Sequence, residues 1–318
     1  MFKYDVSVII PVYNTEKYVA DAINSVLGQS LDNVEVIVVD DGSTDGSLQV
    51  LKGFGNKIRL ISKKNEGQGA ARNDALRIAN GEFVYFMDSD DLIERDTLKK
   101  CVDRCRRDDL DFVFFDALSF GDGVEVAPSH TWFDYHRAAL YEDVSDGCSV
   151  ALDMLGRGIY RCSVCMSLFR RDFLRENGIN FPVGILHEDE FFSALAYANA
   201  TRVSGIPEEF YRRRVRENSV MTASFSERNL EGYLKTLELI EPLSSTGQRE
   251  KLVRELSKAF VHSVMYNSWN LPLASRIRAA RRIVARYPYA LKLRPFVSML
   301  FKRSVQSLLP SGRSSSGA

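Results

Sequence analysis

Residues 83–91, FVYFMDSDD, form an apolar run that ends abruptly in three carboxylates, those of Asp88, Asp90 and Asp91. Aromatic and β-branched residues in an unbroken run are typical of a strand buried on both faces, and the carboxylates then occupy the loop at its carboxyl end. Like charges so close together cost free energy unless a cation or solvent neutralises them. Mg²⁺ and Mn²⁺ prefer oxygen ligands, often carboxylates together with substrate phosphates. The run therefore indicates either a metal-binding loop or an exposed acidic turn.

Three apolar segments precede this run, at residues 6–14, 34–45 and near 58–61, and a helical pattern follows each of them. Strands that alternate with helices predict an α/β fold with a mostly parallel sheet flanked by helices. Functional groups in such sheets collect beyond the carboxyl ends of the strands. Tyr13, Asp40, Asp41 and the acidic run all fall at such ends, so we expect one site there.

Beyond residue 222 the pattern becomes entirely helical. We expect a catalytic domain at residues 1–222 and a helical C-terminal domain at residues 223–318. The chain of 318 residues has no net charge, yet residues 271–318 contain ten Lys or Arg and no Asp or Glu. This asymmetry suggests that the C-terminal tail meets an anionic partner.

One helix of the tail has an amphipathic pattern: Ile277, Ala280, Val284 and Tyr287 are predicted to share a face, with arginines elsewhere. Such a helix either lies on an anionic membrane surface or packs on the catalytic domain and exposes its basic face. Nucleic acid is not an expected partner, because the basic residues are confined to the tail and no binding motif accompanies them.

The sequence contains no apolar run of the length that a transmembrane helix needs. The N-terminal segment is interpreted as a first strand and not as a signal peptide, since no small-residue cleavage site follows it. We expect a protein of the cytoplasm, either free or at the inner face of the cell membrane.

Two further motifs have alternative interpretations. In residues 187–192, HEDEFF, Glu188 and Asp189 lie where a helix begins, and they serve either as caps or as functional carboxylates. Arg212, Arg213, Arg214 and Arg216 lie close together. They either bind phosphate or form the solvated edge of a strand.

Five motifs occur in a fixed order: VSVIIPVYN, VIVVDDGSTDGS, NEGQGAARNDAL, FMDSDD and HEDEFF. In this order and spacing they resemble the family 2 glycosyltransferases of the GT-A fold, over about two-thirds of the chain. The resemblance is strongest to the bacterial branch that builds capsule, O-antigen and other cell-surface polysaccharides. It implies a GT-A catalytic domain followed by a helical extension.

The resemblance also implies roles for individual residues in donor binding. Pro11, Tyr13 and Asp41 match positions that hold the nucleoside, and Arg72 matches a position near the nucleotide. The segment that closes over the diphosphate is matched by Arg214, Arg216 and Ser219.

The acidic motifs match the metal site and the catalytic base. Asp88 matches the position towards the ribose and Asp90 the metal ligand, with Asp88 and Asp91 as further candidate ligands. Asp189 matches the general base. The implied cofactor is a divalent cation, Mn²⁺ or Mg²⁺.

The implied reaction is transfer of one sugar, with inversion, from a nucleotide-sugar to a hydroxyl of a saccharide or a lipid-linked acceptor. UDP is the default nucleotide. The Gln-x-x-Arg-Trp motif of processive synthases is absent, which favours single transfer. The alternatives are nucleotidyl transfer and a nucleotide-sugar-binding module without catalysis.

Overall fold

The computed structural model describes residues 2–122, 135–215, 224–244 and 247–301. Within these residues eight strands form a single sheet: β1 (Tyr4–Val12), β2 (Val34–Asp40), β3 (Arg59–Ser62), β4 (Gly81–Phe86), β5 (Leu92–Ile93), β6 (Phe112–Gly121), β7 (Ser167–Arg170) and β8 (Val203–Val215). Their order across the sheet is β3-β2-β1-β4-β7-β6-β8-β5.

Four of the seven pairs of neighbouring strands in the described sheet run parallel. β1 pairs in parallel with both β2 and β4, β2 pairs in parallel with β3, and β6 pairs in parallel with β8. β7 is antiparallel to β4 and β6, and the short β5 is antiparallel to β8. The predicted mostly parallel sheet is therefore present, and β1, β2, β4 and β8 all end at the same edge.

Seven helices cover the sheet in the described part of residues 2–215: α1 (Val19–Leu27), α2 (Ser47–Gly53), α3 (Gln68–Ile78), α4 (Thr97–Arg107), α5 (Gly147–Arg157), α6 (Arg171–Glu176) and α7 (Glu188–Asn199). In α1 the buried residues are Val19, Ala22, Ile23 and Val26, at the spacing of one helical face. β1 and β2 are apolar almost throughout because helices cover both faces of the sheet.

Four further α-helices follow in the described residues 224–244 and 247–301: α8 (Glu227–Ile240), α9 (Gln248–Asn267), α10 (Leu273–Arg286) and α11 (Leu293–Phe301). α8 packs on α7, and α9 packs on α5. The buried side chains of α8 and α9 join the same apolar core as those of the sheet. The division of the chain at residue 222 stays a prediction, because that residue lies outside the described part.

The four residues predicted to share an apolar face of α10 do not share one environment. Ala280 and Tyr287 are buried, whereas Ile277 and Val284 are 38% and 48% exposed. α10 packs against α8 and α11, and these contacts bury the side of the helix that carries Ala280 and Ile283. Spacing alone could not show which flank of the helix the neighbouring helices would cover.

Candidate active site

A cleft of about 900 Å³ lies where β1, β2, β4 and β8 end. Arg216 and Ser219 lie outside the described residues. Every other residue to which the family resemblance assigned a site role lines this cleft: Pro11, Tyr13, Asp41, Arg72, Asp88, Asp90, Asp91, Asp189 and Arg214. The parallel strands explain the clustering, because they bring segments distant in the chain to one edge of the sheet.

Tyr13 and Asp41 line the cleft directly after β1 and β2. Tyr13 is 49% exposed, so its ring is accessible to a flat ligand. Asp41 is buried; its Oδ1 accepts the Glu66 N–H at 3.0 Å and its Oδ2 accepts the Gly67 N–H at 2.8 Å. Each carboxylate oxygen has two lone pairs, so Asp41 can hold this loop and still accept an N–H from a ligand.

Asp40 supports the turn beside this pocket. It accepts hydrogen bonds from the Ser43 N–H at 3.2 Å and the Ser62 hydroxyl at 3.0 Å. The same turn contains Gly42, whose φ is +74°, and a Cβ at this position would lie 2.8 Å from the backbone nitrogen of Asn65. Both the left-handed backbone and the close approach require glycine.

The acidic loop after β4 places its carboxylates in different environments. Asp91 is buried and accepts the Tyr211 hydroxyl at 2.5 Å and the Arg214 N–H at 2.6 Å. Burial, together with the nearby Asp90 and Asp88 carboxylates, raises the pKa of Asp91 to about 8. Asp91 thus anchors the loop to β8, while Asp88 and Asp90 line the cleft.

Arg72, on α3, connects the acidic loop to α7. Its Nη2 donates to Asp88 Oδ1 at 2.7 Å, and its Nη1 donates to Glu188 Oε1 at 2.9 Å. The guanidinium also lies 5.1 Å from the centroid of the Phe181 ring. Burial opposes the charge, but the Asp88 and Glu188 carboxylates raise the pKa of Arg72 above its ordinary value. Arg72 therefore stays protonated and holds the two acidic segments at a fixed separation.

Asp189 lies in the first turn of α7, where free backbone N–H groups favour a carboxylate. Its Oδ1 accepts the Glu190 N–H at 3.1 Å. Burial raises the pKa of Asp189, although Arg72 opposes that shift. Burial and the Asp189 charge also raise the pKa of Glu190, to about 8. A raised pKa makes a carboxylate a stronger proton acceptor, which suits a general base.

The arginines of β8 contact different partners. Arg214 Nε donates to the Asp90 backbone oxygen at 2.8 Å, and its guanidinium lies 4.8 Å from the centroid of the Tyr18 ring. Arg213, to which the family resemblance assigned no individual role, also lines the cleft and donates to the Tyr135 hydroxyl at 2.6 Å. Its position between two other arginines was the only signal in the sequence that Arg213 belongs to the site.

Another part of the cleft lining combines residues before β7 with residues of α8 and α9. None of them belongs to a recognised motif, so their place depends on tertiary packing. They are Tyr160, Arg161, Cys162, Arg228, Tyr233, Phe260 and Ser263.

The family model described as "Glycosyl transferase family 2" matches residues 7–178, which is more than half of the chain. This chain belongs to glycosyl transferase family 2. The resemblance drawn from the five motifs is thereby confirmed, and the chain is a glycosyltransferase family 2 enzyme.

Named relatives support this membership. The "Putative glycosyltransferase EpsH" of Bacillus subtilis is 31% identical over 283 residues, which cover 86% of this chain and 79% of EpsH. The "Poly(ribitol-phosphate) beta-N-acetylglucosaminyltransferase TarS" of Staphylococcus aureus is 33% identical over 234 residues, which cover 69% of this chain but only 37% of TarS. The chain therefore spans most of one relative and little more than a third of the other.

Solved structures share the fold. The crystal structure of S. aureus TarS 1–349 in complex with UDP-GlcNAc has a TM-score of 0.66 at 24% identity, covering 93% of this chain and 90% of that one. The mannosyltransferase PcManGT from Pyrobaculum calidifontis, in complex with GDP-Man and Mn²⁺, has a TM-score of 0.56 at 19% identity, covering 94% and 84%. The predicted GT-A fold with C-terminal helices is confirmed.

Proposed function

We propose that this chain transfers one sugar, with inversion, from a UDP-sugar to a hydroxyl of a saccharide or lipid-linked acceptor in the synthesis of a cell-surface polysaccharide. The observation that carries the proposal is the bridge made by Arg72. Its bonds to Asp88 and Glu188 bring the acidic loop and the helix of Asp189 to one cleft. A donor held at the acidic loop would then lie beside a candidate base.

In this mechanism Asp189 accepts the proton of the acceptor hydroxyl as that oxygen attacks the anomeric carbon. A single base on the side opposite the leaving group gives in-line displacement and inversion, without a covalent intermediate. Arg213 and Arg214 line the cleft near the acidic loop, where guanidinium groups can stabilise the negative charge that grows on the diphosphate.

The choice of donor draws on Tyr13 and Asp41, which offer a ring and a carboxylate at the nucleoside end. The fold is shared with TarS in complex with UDP-GlcNAc, which favours a uridine nucleotide. The related fold of PcManGT is solved with GDP-Man. A test of donor binding and turnover should therefore use both UDP- and GDP-sugars.

We propose Asp90 and Asp88 as the residues that would hold Mn²⁺ or Mg²⁺. Both line the cleft, and carboxylate oxygens are the ligands that these cations prefer. The charge of these two groups contributes to the raised pKa of Asp91, so the acidic loop is a place where a cation would relieve repulsion. A bound divalent cation would neutralise charge on the departing diphosphate.

The transfer reaction and its metal dependence can be tested together. We expect the chain to release UDP from a UDP-sugar with Mn²⁺ and not with EDTA, and to form a product of inverted anomeric configuration by NMR. Asp90→Asn should weaken the Mn²⁺-dependent binding of UDP about 10-fold or more, because it removes a charged ligand. Asp96→Asn, an exposed carboxylate after the same loop, is the matched control.

Two results would contradict this assignment. A retained anomeric configuration would exclude the single-base mechanism. If no UDP- or GDP-sugar binds or turns over with either metal, the transferase proposal fails.

The two alternatives are less well supported. Nucleotidyl transfer normally uses a glycine-rich phosphate loop after the first strand, but residues 11–18, PVYNTEKY, contain no glycine. A binding module without catalysis would not need Asp189 beside Asp88 and Asp90 in one cleft.

Among the described residues, no helix is both long and apolar enough to cross a membrane. We propose instead a peripheral contact with an anionic membrane at the cytoplasmic face, made by the exposed apolar side chains of α10 and α11. These are Leu273, Ile277, Val284, Leu293, Val297 and Phe301.

Charge alone would hold this surface less strongly than the composition of the tail suggests. Arg278 and Arg282 form ion pairs with Glu231 of α8, and Arg282 and Arg286 form ion pairs with Glu238. Arg281 and Arg294 are exposed and remain available to anionic lipid headgroups. The apolar side chains therefore contribute much of the expected attraction.

We expect the double substitution Leu293→Ser and Phe301→Ser to lower binding to vesicles with anionic lipid about 10-fold or more, since each side chain contributes about 1.5–3 kcal/mol when fully buried. Leu140→Ser with Val144→Ser, two exposed apolar residues outside the tail, is the control. Co-sedimentation measures the difference. Equal binding by both double variants would exclude this surface.

A further inference from the structure

Helix α8 lies directly against the loop that leads into α7. The ring of Tyr233 stacks on the His187 ring, with centroids 4.1 Å apart and planes at 26°. Asn229 Nδ2 lies 3.4 Å from His187 Nε2. A Cβ added to Gly232 would lie 2.4 Å from the backbone oxygen of Leu186, so only glycine allows the helix to approach this closely. Three residues of α8, Asn229, Gly232 and Tyr233, therefore contact the short loop before α7.

His187 has an unusual backbone conformation. Its φ is +67°, in the left-handed region that only a few per cent of residues other than glycine adopt, although histidine does so more often than most. Such a conformation is strained and persists only where the surroundings enforce it. Here the Tyr233 ring, stacked on His187, and the close approach of Gly232 to Leu186 hold His187 in this conformation.

The conformation of His187 sets the direction in which α7 begins. His187 is the residue immediately before the helix, and its backbone oxygen accepts the Glu190 N–H at 3.2 Å. The first turn carries Glu188, which bonds to Arg72, and Asp189, the proposed base. A change at His187 would therefore rotate or shift the Asp189 carboxylate relative to the acidic loop.

We propose that Tyr233, Gly232 and Asn229 on α8 are positioning residues, which hold His187 so that Asp189 faces the acceptor hydroxyl. The inference rests on the proposed function, since it assigns these residues to the geometry of the proposed base. It gives the C-terminal helices a part in the chemical step that is separate from binding of the nucleotide, because the nucleoside is assigned to Tyr13 and Asp41, which follow β1 and β2.

The test compares Tyr233→Ala with Tyr233→Phe, which keeps the stacked ring. A shift of about 1 Å in a reacting group costs on the order of 100-fold in rate, so we expect Tyr233→Ala to lower kcat about 10- to 100-fold. The KM for the nucleotide-sugar and the Kd for UDP should stay within about twofold of wild type. Tyr233→Phe should restore kcat. Tyr266→Ala, an exposed tyrosine of α9, is the matched control.

The pH profile supplies a second readout. Burial raises the pKa of Asp189, and Arg72 and Arg213 oppose the shift while Asp88 adds to it. Loss of the Tyr233 ring would admit water, lower this pKa and keep the base ionised at lower pH. The acid limb of kcat should therefore move to lower pH in Tyr233→Ala and stay unchanged in Tyr266→Ala.

Several outcomes would overturn the inference. One is a folded Tyr233→Ala variant with wild-type kcat and pH profile; another is an equal loss of kcat and UDP binding, which would indicate general damage to the cleft. If Tyr233→Ala does not fold, His187→Ala offers a second test, because it removes the same ring stack. This variant should lower kcat and retain UDP binding. An unchanged kcat would contradict the proposal. A wild-type chain that transfers no sugar would instead refute the proposed function, and the positioning role with it.

Discussion

Replacing Asp189 with asparagine is expected to lower kcat for sugar transfer about 10²- to 10⁴-fold, the range typical of losing a general base. The amide keeps the size of the side chain but cannot accept the proton of the acceptor hydroxyl. Binding of UDP should be little changed, since Asp189 is not among the residues proposed to hold the nucleotide. Steady-state transfer and titration calorimetry with UDP measure the two effects separately.

Two companion variants make this result specific. Asp143→Asn changes an exposed carboxylate outside the cleft in the same way and should leave kcat unchanged. Glu190→Gln tests the neighbouring buried carboxylate, whose pKa is raised to about 8. If Asp189→Asn keeps wild-type kcat and Glu190→Gln loses it, Glu190 would replace Asp189 as the base.

Replacing Arg72 with methionine is expected to lower the free energy of unfolding by about 3 kcal/mol, at the lower end of the range for breaking a buried ion pair. The side chain of Arg72 is 3% exposed, and its removal leaves Glu188, which is 12% exposed, without its cation. Asp88 is 32% exposed, so water replaces part of what that carboxylate loses. Denaturant titration measures the change.

The same helix provides the control for this substitution. Arg77, also on α3, pairs with Asp74, but its side chain is 71% exposed, and surface pairs contribute only about 0–1 kcal/mol. Arg77→Met should therefore change stability by less than about 1 kcal/mol. If both variants were equally stable, Arg72 would not hold the acidic loop and α7 together.

The sequence by itself determined the central sheet and the place of the site. Apolar strands alternate with helices, and acidic or aromatic residues follow the strands. Periodicity predicts these elements, and the rule that parallel strands end at one edge of the sheet predicts the place of the site. The nine described residues that were assigned roles consequently line one cleft. Their individual roles stay predictions.

Only the tertiary structure decided which partners these residues have. Arg72 and Glu188 are 116 positions apart, and Asp91 and Tyr211 are 120 apart, so no local spacing predicts either contact. The buried side of α10 depends on where α8 and α11 pack, and the stack of Tyr233 on His187 depends on how α8 meets α7. Local propensity sets the elements, but burial and long-range contacts set the environment of each charge and therefore its chemistry.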